Sequence, residues 1–200
     1  MIRTSLISYL GIFLSCTGGA LLNVFFHPLL KLSGLALLYL GGSILLLNVC
    51  SVQMCLALLV CGIGVSVLFG MRQRENPAAY EIVSEHKEWM AFRLLLAVIL
   101  GILAFTSSSL LRYWIPIRQS IQFVTLWTVM QGLFNLSLDD ETLFRGMYMQ
   151  SICLAATVCY CYMENSILVF AFLAVINELL AFGSTVLVMG ADTAAEDTES

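Results

Sequence analysis

Phe170-Ala171-Phe172-Leu173-Ala174-Val175-Ile176-Asn177-Glu178-Leu179-Leu180-Ala181-Phe182 is an apolar run broken only by Asn177 and Glu178. It lies inside a longer stretch, Leu143 to Met189. That stretch reads as two hydrophobic spans meeting at Cys161-Tyr162-Met163-Glu164-Asn165. Apolar runs of roughly 18 residues or more are the signature of membrane-spanning helices. A carboxylate at the centre of such a helix costs about 2.5–3.5 kcal/mol, and each Leu, Ile, Val or Phe returns about 0.3–0.6. The run can therefore insert with Glu178 in it. An ionisable residue at that depth is expected to face the bundle interior or a cavity, with a functional role as the default hypothesis.

Working outward, the rest of the chain has the same character. It is 60% hydrophobic and only 11% charged, whereas about a quarter of the residues in soluble domains are charged. Its mean hydropathy is +0.94. No segments of about ten residues alternate as a transmembrane barrel would require. The predicted fold class is all-α, a polytopic transmembrane helical bundle of about seven spans. The predicted spans are Leu6–Phe26, Leu32–Val49, Met54–Met71, Met90–Leu111, Ile121–Leu138, Leu143–Met163 and Ser166–Met189.

The predicted organisation is a three-span half over 1–71, a charged interfacial linker over 72–89, a four-span half over 90–190 and an acidic disordered tail over 191–200. The linker mixes Arg72, Arg74, Glu75, Glu81, Glu85 and Lys87 with Tyr80, Ile82 and Val83, as a segment lying in the membrane interface does. Gly11, Ser15 and Gly19 recur every four residues, and Gly62, Ser66 and Gly70 repeat the pattern. Such stripes let helices approach closely in lipid, where packing drives association. Trp89, Tyr113 and Trp114 mark interfaces, and Arg93 is expected to snorkel to the headgroups.

Lys and Arg count three on the side of the N-terminus and the even loops (Arg3, Arg112, Arg118). They count six on the other side (Lys31, Arg72, Arg74, Lys87, Arg93, Arg145). The positive-inside tendency then predicts an integral protein of the bacterial cytoplasmic membrane with its N-terminus outside and its C-terminus cytoplasmic. The net charge of −4 and the scattered basic residues leave nucleic acid an unexpected partner; the lipid bilayer is the expected one.

Two carboxylates are the ion-path candidates, Glu178 in mid-span and Glu164 at the turn with Asn165. Each has a plainer alternative. Glu164 serves as a turn or cap residue with Asn165, and a protonated Glu178, beside Asn177, bonds a neighbouring helix at Gln131, Asn135 or Gln150. Asn177, Gln131, Asn135 and Gln150 are accordingly polar helix-packing candidates, Gln131 and Asn135 lying one helical turn apart. The seven cysteines form no CxxC pair and read as small buried hydrophobes rather than a disulfide framework. No phosphate-binding glycine loop, HExxH or GxSxG is present. No catalytic residue, metal or cofactor is expected, and the chain reads as a non-enzyme.

Cys161-Tyr162-Met163-Glu164-Asn165, followed by Ser166-Ile167-Leu168-Val169, resembles the Met-Glu-Asn segment of hydrogenase-4 component E-type proteins, relatives of the small K-type subunit of respiratory complex I. Leu126-Trp127, Gly132-Leu133-Phe134 and Leu136-Ser137-Leu138 resemble small bacterial membrane proteins associated with Mrp-type antiporter subunits. Leu38-Tyr39-Leu40 and Leu56 to Gly70 fit the same group loosely. K-type subunits carry two glutamates within adjacent spans; here one is mid-span and the other near a turn, so only Glu164 is carried over. The resemblance implies a seven-span accessory subunit of a proton- or sodium-translocating complex, with antiporter-like partner subunits. The alternatives are a free-standing small transporter or channel, and a membrane assembly or scaffold protein without transport activity.

Overall fold

The computed structural model describes residues 2–25, 27–47, 49–75, 87–111, 113–114, 117–139, 142–163, 166, 168 and 170–183. Among them the chain is all-helical. The helices are α1 (Ile2–Val24), α2 (Pro28–Leu46), α3 (Val52–Glu75), α4 (Lys87–Leu111), α5 (Gln119–Leu138), α6 (Thr142–Met163) and α7 (Phe170–Gly183). Proline opens α2 at its first position, where its missing N–H costs nothing, and His27 before it is extended.

Five helices, α1 to α5, are long and apolar enough to cross a membrane, and the chain reads as an integral membrane protein on them. That is fewer than the seven spans expected. Helix α6 carries Arg145, Gln150, Ser151 and Thr157 along its length, which dilutes its apolar character. The described part of α7 is shorter than the roughly 20 residues a span needs. The centre of the linker (76–86), Glu164, the end of the predicted last span and the acidic tail all lie outside the described residues. Helices α3 and α4 run into the predicted linker from its two sides.

Helices α1, α2, α5 and α6 pack on one another, and α3 adds Met54, Leu58, Val65 and Phe69 to the apolar core. Helix α3 lies against α2, and α4 against α5 and α1. The core thus draws on helices from both sides of the linker. Helices α1 and α2 cross where two glycines meet. A Cβ on Gly34 would lie 2.6 Å from the Gly18 carbonyl oxygen, and one on Gly18 would lie 2.6 Å from the Gly34 carbonyl oxygen. Any larger residue at either position forces the backbones apart.

The predicted stripes divide between neighbours. Gly11 faces Leu45 and Ser15 faces Gly41, both on α2, but Gly19 faces the Trp127 ring on α5. Gly62 packs on Tyr39 and Gly70 on Leu32, while the half-buried Ser66 lines a groove with Ala36 and Tyr39. Trp127 is wedged between Gly19 of α1 and Gly101 of α4, and its indole N–H donates to the Ala97 carbonyl at 3.2 Å. Most of α4 beyond that contact turns apolar side chains outward (Leu94, Leu95, Val98, Ile102), as a lipid-facing helix does. Trp89, Tyr113 and Trp114 are exposed at its two ends.

Candidate functional site

Four ionisable side chains meet inside one end of the bundle, and none of them was a candidate on sequence grounds. Lys31 sits in the first turn of α2 with no exposed surface. Arg93, near the start of α4, is 4% exposed. Asp139 is the residue after the last turn of α5. Tyr148 lies in the second turn of α6 and is fully buried. The Arg93 guanidinium grips the carboxylate with two nitrogens: Nη2 donates to Oδ1, and Nη1 to Oδ2 at 3.2 Å. The Tyr148 hydroxyl donates to Asp139 Oδ2 and accepts from Lys31 Nζ, and Arg93 Nη1 reaches it at 3.3 Å. Lys31 Nζ stands 3.6 Å from Asp139 Oδ2 and over the rings of Phe144 and Tyr148, at 4.4 and 4.6 Å from their centroids.

With the tyrosine neutral, the quartet carries two positive charges and one negative. Buried charges are costly unless paired and hydrogen-bonded, and backbone carbonyls add to the pairing here. Lys31 Nζ donates to the Leu22 carbonyl at 3.2 Å and Arg93 Nη1 lies 3.4 Å from the Asn23 carbonyl, both in the last turn of α1. Those carbonyls have no partner within their own helix. The C-terminal ends of α1 and α5 both point into the site, and each is equivalent to roughly half a negative charge. Asp139 lies one residue beyond the α5 span. Burial raises its carboxyl, but the Arg93 bond, the Lys31 charge and the Tyr148 hydroxyl outweigh that and hold it below its ordinary 3.8.

Arg93 was expected to snorkel to the headgroups; it is buried instead. The α1–α2 connection is only 25–27, and Arg93 lies where α4 packs on α1. The heads of Lys31 and Arg93 therefore meet the end of α1 and a carboxylate there rather than water. The sequence carried one usable signal: an acid and two bases flank apolar runs on the same predicted side.

The predicted polar residues fall into two further groups. Asn177 is buried. Its side-chain N–H donates to Thr157 Oγ1 at 3.1 Å, and its backbone and side-chain oxygens lie 3.1 and 3.2 Å from Gln150 Nε2. The same nitrogen donates to the Tyr39 hydroxyl at 2.7 Å, so Gln150 ties α2, α6 and α7 together. Asn135 donates to Asn23 Oδ1 and to the Gln131 carbonyl, both at 2.9 Å. The carboxylate next to Asn177 does not join either group. Glu178 lines an apolar groove of about 440 Å³ with Cys61, Leu68 and Val175, where the Cys61 thiol bonds it and Gly64 leaves it room. No family model, characterised protein or solved structure matches this chain. All seven cysteines are free. Among the described residues no three His, Cys, Asp or Glu side chains are placed to hold a metal ion.

Proposed function

We propose that this protein is a non-enzymatic subunit of a larger membrane assembly that moves protons or sodium, and that the Lys31–Arg93–Asp139–Tyr148 quartet is where it handles charge. One observation carries the reading: two cations, a carboxylate and a phenol are in mutual contact within a membrane bundle. Ionisable groups there are expensive, and a functional role is the first hypothesis for them. The short segment around Met163-Glu164-Asn165, with its resemblance to K-type and hydrogenase-4 component E-type subunits, supports the same class. On this reading α6 and α7 complete seven spans. The excess of Lys and Arg on the odd loops then puts the quartet at the cytoplasmic end, with the N-terminus outside. Glu178 in its groove is a secondary ion-path candidate.

A C-terminally tagged protein extracted from its native membrane in mild detergent is expected to bring antiporter-like or quinone-linked subunits with it, as identified by mass spectrometry. A single stable band would overturn the subunit reading. A second reading, a static brace, is favoured by how fully Asp139 is bonded. Tyr148→Phe separates the two. An ion-handling quartet predicts lower flux per assembled complex at unchanged yield. A brace predicts lower yield at unchanged flux per complex.

A further inference from the structure

Hydroxyl groups in helices usually bond back to a carbonyl three or four residues earlier. Thr17, Thr106, Thr157, Ser43 and Ser151 all do so here, at 2.7–3.0 Å. Ser15, Thr125 and Thr128 do not: their hydroxyl oxygens are buried and have no hydrogen-bond partner. Ser15 is on α1, and the two threonines are on α5. All three line one small, partly enclosed cavity whose other walls are apolar, among them Leu38, Val124, Leu154 and Val158. The cavity volume is about 20 Å³. One water needs about 10–15 Å³ and two to four polar partners. Three unpartnered hydroxyls around a space of that size meet both conditions.

We propose that this cavity is a binding site for a single internal water, held by Ser15, Thr125 and Thr128, and the inner end of a polar file along α5. From Thr128 the file continues through Gln131, Asn135 and Asp139, at spacings of three, four and four residues that keep them on one helix face. Gln131 is 1% exposed, and neither its amide nitrogen nor its amide oxygen has a partner. Asn135 bonds Asn23, whose carbonyl faces Arg93, so the file ends at the quartet. Thr125 and Asp139 are about 21 Å apart along α5 at 1.5 Å per residue. The water site stands whether or not the assembly moves ions, and its test does not depend on transport.

The test is a double-mutant cycle read by thermal stability of the purified full-length protein in one detergent. Thr128→Val and Ser15→Ala remove hydroxyls from different helices with no direct bond between them. With a shared water, each single variant lowers Tm by about 2–4 °C, and the double variant loses clearly less than the sum. Thr128→Ser keeps the hydroxyl and the coupling. A dry cavity predicts the opposite sign, since removing an unpartnered buried hydroxyl raises Tm. Raised values, or additive losses from independent back-bonds, overturn the proposal. So does a sodium-dependent rise in Tm that Thr128→Val abolishes, which would assign the cavity to a cation. Should both position-128 variants fail to fold, Thr125→Val and Thr125→Ser at the half-buried position give the same reading.

Discussion

The quartet and the Glu178 groove both hold carboxylates in hydrophobic surroundings, yet they differ in nearly every other respect. Asp139 sits at a helix end and is bonded by Arg93, Tyr148 and Lys31. Glu178 sits inside α7 and shares an open groove with apolar side chains and one thiol. Depth along a helix and depth within the bundle are separate coordinates. The second is set by helical phase, about 100° per residue. One such step separates Asn177, which is buried among Gln150 and Thr157, from Glu178, which faces the groove.

The sharpest way to break this contrast is to remove both charges in turn. Asp139→Asn removes the carboxylate that Arg93 grips and Lys31 faces, breaking a buried charge pair, and is expected to cost about 3–5 kcal/mol. The loss would show as a large drop in Tm and in the folded fraction recovered in detergent. Parity with Glu178→Gln would refute the assignment. Acid should act on the same group reversibly. Its folded value is depressed below 3.8, so the unfolded chain takes up the proton first and stability rises with pH. The contribution is complete above about 3.8 and is lost as pH falls through the lower folded value. A Tm series is expected to show a limb below pH 4 that Asp139→Asn lacks.

Packing comes next in size. Gln150→Leu removes the donor to the Tyr39 hydroxyl and to Asn177 Oδ1, at about 1–3 kcal/mol by reversible denaturation. Gly34→Ala pushes a methyl group into the Gly18 carbonyl and Leu22 amide, for a similar about 1–3 kcal/mol. If Gly34→Ala proves neutral, the α1–α2 crossing is looser than described. The smallest effect is expected at Glu178→Gln, within about 0.5 kcal/mol by the same Tm measurement. A larger loss would mean that the groove is covered and that Glu178 is a buried group after all.

These contrasts show what could be read without coordinates. The helical membrane class was legible, because long apolar runs need no tertiary information. The Gln150–Asn177 bond was not: the residue expected to reach Gln150 was Glu178, and its neighbour Asn177 does so instead, one helical step of about 100° away. Nor were the charges at the helix ends. Lys31, Arg93 and Asp139 have the composition of solvated loop residues, and only the packing of α1, α2, α4 and α5 encloses them. Asn23 was passed over for a related reason: its bond to Asn135 joins residues 112 apart, beyond any local pattern. Spans six and seven were expected from hydropathy alone, but α6 spends much of its polar content on contacts inside the bundle.

The quartet also has a place in time. Lys31 and Tyr148 are separated by 117 residues, and at 5–20 residues per second a ribosome needs on the order of ten seconds to make the intervening chain. Throughout that interval the α1–α2 hairpin carries a lysine whose carboxylate and phenol partners do not yet exist. Until α5 and α6 arrive the Leu22 carbonyl, within the same hairpin, is an acceptor already at hand for that lysine, and the quartet closes only late in synthesis.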